Sequence, residues 1–180
     1  AAGARAGEQD DVVLGAEDAF SESIVPSSHS LFGPRGAVLT ADGALWVADT
    51  GHHRLLGWPA LPTHDNEPAE WLIGQPRFGA EGRNAKGDVH GESLNVPTGV
   101  CACGDGLAVA DAWNHRVLIW FRAPRSSHQP ADVVLGQTDA TSNAINRGAY
   151  RPRARCLNSP YGLYLHAERM WVAHPVSRRV

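Results

Sequence analysis

The chain has 180 residues, 43% hydrophobic and 19% charged, with a net charge of -3. That balance fits a globular domain and excludes a disordered or fibrous chain. Its 16 lysines and arginines form no polybasic arm, which excludes nucleic acid or an anionic membrane surface as the main partner, since such binding rests on concentrated positive charge.

In chain order, residues 11–15 (Asp-Val-Val-Leu-Gly) read as a short strand. Residues 35–40, 45–49, 54–58 and 70–74 then read as four more, joined by turns that contain Asp-Gly, Thr-Gly or Pro. A polar segment, 75–95, follows. The order then repeats: residues 98–103, 107–111, 116–122 and 131–136 are strands, with Gly104-Asp105-Gly106 and Ala112-Trp113-Asn114 as turns. In the second turn Asn114 is the residue expected to tolerate left-handed backbone. A second polar segment covers 137–158. No stretch carries a helical period, and the longest apolar runs, such as 117–121, are far too short to span a bilayer, so a soluble chain without membrane insertion is expected.

One frame underlies these strands. Pro34-Arg35-Gly36 leads to Leu45-Trp46-Val47-Ala48-Asp49 and His53-Arg54; Pro97-Thr98-Gly99 leads to Leu107-Ala108-Val109-Ala110-Asp111 and His115-Arg116; Pro160-Tyr161-Gly162 leads to Met170-Trp171-Val172-Ala173-His174 and Arg178-Arg179. Gly36, Gly99 and Gly162 are equally spaced, so the chain is an array of one structural unit. Four short antiparallel strands cannot bury both faces alone, and stacking of such units closes a β-propeller.

The string Pro-x-Gly, apolar run, Asp-Gly, x-x-Val-Ala-Asp, x-x-Asn-His-Arg-Val, closest in residues 97–117, resembles the NHL repeat of six-bladed β-propellers, and the frame extends with departures over residues 10–180. The resemblance implies an all-β propeller of four-stranded antiparallel blades. It leaves function open, because NHL propellers include binding scaffolds as well as lyases and hydrolases. Residues 1–180 form a single partial propeller of about three blades, half of a six-bladed ring. Blade one is 34–74, blade two 97–136 and an incomplete blade three 160–180, with 11–15 as the outer strand of a preceding or closing blade. The remaining blades come from a second copy, from a different chain or from a longer polypeptide; a terminus within a strand leaves an exposed edge.

Asp49 with Arg54, and Asp111 with Arg116, stand across the turn between the second and third strands. Such spacing suits a bidentate, charge-assisted pair that locks each hairpin, with His or Asn of the turn bonding to backbone. Unit three departs from this: His174 replaces Asp, Pro175 follows, and Arg178 takes the place of His53 and His115. His53, His115 and His174 come from equivalent hairpins, which makes them the candidate metal ligands. Cys101 and Cys103 share one side of a strand; small core residues account for them better than a soft-metal site. With Cys156 they make an odd count, so no disulfide framework or compartment follows. The small residues at 1–4 flank no visible signal peptide. No phosphate-binding loop or nucleophile elbow occurs.

Five of the six tryptophans are expected to pack between blades, whereas Trp113 in its turn suits partner contact. The loops 77–91 and 138–155 are expected on one rim, the second basic at Arg147, Arg151, Arg153 and Arg155. The leading expectation is a non-catalytic NHL-type propeller that binds protein, a scaffold or accessory subunit without cofactor. The alternative is a metal-dependent lyase or hydrolase using His53, His115 and His174 at the channel mouth.

Overall fold

The computed structural model describes residues 12–15, 25–167 and 169–174. Ten strands lie among them: β1 (Gly36–Leu39), β2 (Leu45–Asp49), β3 (Arg54–Trp58), β4 (Trp71–Ile73), β5 (Pro97–Cys103), β6 (Gly106–Asp111), β7 (Arg116–Trp120), β8 (Val133–Leu135), β9 (Gly162–His166) and β10 (Arg169–Ala173). They form two four-stranded antiparallel sheets, β1-β2-β3-β4 and β5-β6-β7-β8, and the pair β9-β10. The described residues contain no α-helix. Asp11 and the expected third strand of blade three, with Pro175, Arg178 and Arg179, lie outside the described residues.

The middle strands carry continuous apolar runs because both faces of a blade are covered. In β6 (Gly-Leu-Ala-Val-Ala-Asp) every residue is buried, whereas β1 alternates between half-buried and exposed. Trp46, Leu55 and Ile73 of blade one close on Leu107, Val109, Leu118 and Trp120 of blade two, and on Leu94 between them. On the other face of blade one, Val47, Leu56, Trp58 and Leu72 form a second cluster against Leu14, Leu31 and Phe78. Trp58 and Trp120 keep their indole N–H groups satisfied in matching ways, donating to the Glu67 and Gln129 carbonyls at 2.9 Å each.

Several strands end sooner than their sequences suggest. The expected outer strands 70–74 and 131–136 shorten to β4 and β8, because Gly74 and Gly136 turn to φ of 96° and 93°. β7 stops at Trp120 rather than Arg122, since the next amide, Phe121 N–H, donates to the Asp132 carboxylate at 2.8 Å instead of a strand neighbour. The expected left-handed residue is also corrected. His115 takes that conformation, at φ 54°, as does His53 at 58°, while the Asn114 side chain serves Asp111.

Val12–Gly15 runs beside the segment that leads into blade one, with Leu14 packed against that blade's second cluster. Gly15 bridges Ser30 in parallel and accepts from Leu31 N–H at 3.3 Å. Its α-carbon lies against the Leu31 side chain as those of Gly74 and Gly136 lie against Leu94 and Leu157.

The inner strands approach most closely. β5 packs against both β1 and β9. A methyl group at Gly36 would stand 2.6 Å from the Thr98 carbonyl, and one at Gly99 would stand 2.5 Å from that of Tyr161. The repeated glycine therefore permits backbone of one blade to touch backbone of the next. Beside it, Thr50 donates to the Pro97 carbonyl at 2.6 Å and Thr98 to the Tyr161 carbonyl at 2.9 Å.

Candidate functional site

The second-to-third strand turns, the interblade segments and their anchors lie together along the blades. In blade one, Asp49 Oδ2 accepts from Arg54 Nε at 2.7 Å and lies 2.8 Å from His52 Nδ1, while Oδ1 accepts from Phe32 N–H at 2.6 Å. In blade two, Asp111 Oδ2 accepts from Arg116 Nε at 2.7 Å and Asn114 Nδ2 at 2.8 Å, and Oδ1 from Asn95 N–H at 2.7 Å. All of these side chains are buried. The pairing runs through Nε alone, not through the bidentate fork expected from the spacing. The rest of each guanidinium reaches outward to loop carbonyls: Arg54 to Phe78, Ser27 and Ser30, Arg116 to Ala140, His90 and Ser93. A buried guanidinium with all three nitrogens donating thus ties two interblade segments to its hairpin. Burial pushes the Asp111 carboxyl up, opposed by the Arg116 charge and by the Asn95 and Asn114 donors.

His53 and His115 serve the next blade. His53 Nδ1 accepts from Val96 N–H at 3.0 Å, and His115 Nδ1 from Ser159 N–H at 3.1 Å. The bond assigns the proton of the neutral ring to Nε2. Val96 and Ser159 are themselves left-handed, at φ 57° and 51°, so each histidine supports a strained backbone position just ahead of β5 or β9. Burial lowers both imidazole pKa values, with Arg83 adding to the effect at His53. His174 is buried at the end of β10, in the position of Asp49 and Asp111. Among the described residues, no group of three or more His, Cys, Asp or Glu side chains is placed to hold a metal ion.

The interblade segments are anchored by residues that the motif reading missed. Gln75 Nε2 points at the carbonyls of His52, His53 and Gly82, at 3.2, 3.2 and 2.7 Å; Gln137 Nε2 points at those of Asn114, His115 and Ala144, at 3.3, 3.1 and 3.0 Å. Asn84 exchanges side-chain bonds with Asn114 at 2.8 and 3.3 Å. Asn84 and Asn146 each start a left-handed turn, Asn84-Ala85-Lys86 and Asn146-Arg147-Gly148. Repetition of Gly-Gln directly after both outer strands, at 74–75 and 136–137, is the signal that marks these anchors.

Of the residues expected to meet a partner, Trp113 is 47% exposed, with the Arg83 guanidinium 4.6 Å from its ring centroid. Arg151, Arg153 and Arg155 are exposed. Arg147 is turned back, donating to the Gly136 and Gln137 carbonyls at 3.2 and 2.7 Å. A cavity of about 360 Å³ lies against Asn146, Arg147, Arg153, Arg155 and Cys156. Cys156 fixes its wall by accepting from Arg153 N–H at 2.8 Å.

Blades of four antiparallel strands, stacked face to face with glycine contacts at their inner edges, define a chain of the β-propeller class. The family model described as the NHL repeat matches residues 33–58 and 94–120. Blades one and two thus each carry a match to that repeat. No curated protein matches the chain.

Proposed function

We propose that this chain is a non-catalytic NHL-type propeller that binds another protein, as a scaffold or accessory subunit of a larger assembly. The observation that carries the reading is the pairing of a rigid rim with exposed recognition groups: Trp113 stands half-exposed on a turn whose neighbours are all bonded, and Arg151, Arg153 and Arg155 project from an anchored segment. Aromatic and arginine side chains on a pre-ordered frame lose little entropy on docking. An acidic partner surface suits the three arginines and would speed encounter.

The propeller's own completion belongs to the same reading. Gly36 and Gly99 press against the next blade's inner strand, whereas Gly162 stands in the equivalent place with only the Ala173 side chain near, at 3.7 Å among the described residues. A further blade, from a protein partner, from a second copy or from a longer polypeptide that includes this chain, fits there.

The test is native mass spectrometry of the protein purified from its source, repeated with the variant W113A/R151E/R153E/R155E. The expected result is a heteromeric complex whose partner is lost in the variant while its circular dichroism is unchanged. A wild-type chain that runs alone, or a partner retained by the variant, would overturn the rim reading; a mass of two identical chains would replace it with a self-completed ring.

A further inference from the structure

Cys101 and Cys103 of β5 hold their sulfurs 3.8 Å apart on one face of the strand, and both side chains are half-buried. Opposite them on β6 are Ala108 and Gly106, two of the smallest residues available. Val100, on the other face of β5, is packed into the core between blades one and two, so the sulfurs lie on the side away from that core. Cys156 is remote in role, buried and bonded within its own loop.

We propose that Cys101 and Cys103 form a two-thiolate site for a thiophilic d¹⁰ cation, Cu(I). Metal–thiolate bonds of about 2.3 Å span up to ~4.6 Å when collinear. The sulfurs need to part by less than an ångström, which χ1 rotation of two half-exposed thiols supplies. A disulfide would instead draw them to about 2.0 Å, with strand neighbours two apart at the upper limit of the α-carbon separations that disulfides accept. β5 is pinned by its pairing with β6, so the strand resists that closure.

Donor type and number select the ion. Two soft thiolates disfavour Mg²⁺ and Ca²⁺, which take oxygen ligands. A four-ligand zinc site needs further protein donors, and none are gathered with the cysteines among the described residues; Cu(I) is satisfied by two. In the free site both cysteines are thiols, and the sulfur separation lets one S–H point at the other sulfur. Hydrogen bonding to Cys103 pushes the Cys101 thiol up, and the same bond pulls Cys103 down toward thiolate. Cu(I) displaces the thiol protons: two Cu–S bonds form, the protons leave to water, and no oxidation state changes.

The experiment titrates the reduced full chain with Cu(I) under anaerobic conditions against a chromogenic Cu(I) chelator. Wild type is expected to retain one equivalent, C156S to retain it as well, and C101S and C103S each to lose it. On the wild-type protein alone, iodoacetamide labelling mapped by mass spectrometry is expected to slow at both Cys101 and Cys103 once copper is added, which needs no variant to fold. Absence of retained copper in wild type, retention by C101S or C103S, loss in C156S, or labelling that copper does not slow would overturn the site.

Discussion

A ring nitrogen that accepts a backbone amide cannot also carry a proton, and His53 and His115 each do this for the following blade. Burial already holds both imidazoles below their ordinary value of 6.5. A histidine whose folded pKa is depressed contributes stability that is present above the unfolded pKa and lost as pH falls through it toward the folded one. Urea midpoints are therefore expected to drop between about pH 7 and pH 5, and the variant H53L/H115L is expected to show a flatter profile over that window. Arg116 is the second residue whose removal has a signed outcome. R116M leaves Asp111 as an uncompensated buried carboxylate and three loop carbonyls without donors, so a loss of about 3–5 kcal/mol is expected in chemical denaturation. The Asp and Arg positions were legible from their repeated spacing. The donor geometry was not, because Arg54 and Arg116 reach carbonyls 23 to 27 residues away, and the amides that meet His53 and His115 lie more than 40 residues on.

At the scale of elements, turn glycines, β-branched runs and the repeated frame predicted the order of strands, and the outer strands were overestimated because a positive-φ glycine closes each one. The interblade segments read as plain polar loops, since within either segment alone nothing announces that Gln75 or Gln137 holds it, and only the repetition of Gly-Gln after both outer strands does. Q75A removes the donor shared by His52, His53 and Gly82 carbonyls, at a cost of about 1–3 kcal/mol. Amides of residues 82–95 should then exchange faster with deuterium; unchanged exchange would show that the arginine contacts hold the segment without it. The left-handed turns offer a matched comparison. Lys86 sits at φ 64° where blade two has Gly148 at 77°, so K86G is expected to raise stability by about 0.5–1 kcal/mol, read from the denaturation midpoint.

Across the whole molecule, blades stack through a large apolar interface and a narrow backbone contact, and the two have different tolerances. Equal spacing of Gly36, Gly99 and Gly162 made the array legible, but not the reason for glycine, which is the carbonyl of the neighbouring strand. G99A drives a methyl group into the Tyr161 carbonyl and should cost about 1–3 kcal/mol, read from the thermal denaturation midpoint. Because main chain meets main chain at these points, the angle from one blade to the next is gauged by atoms that every residue type shares. Side chains can therefore diverge from blade to blade, as His174 does from Asp49 and Asp111, without altering the curvature on which closure of a ring depends.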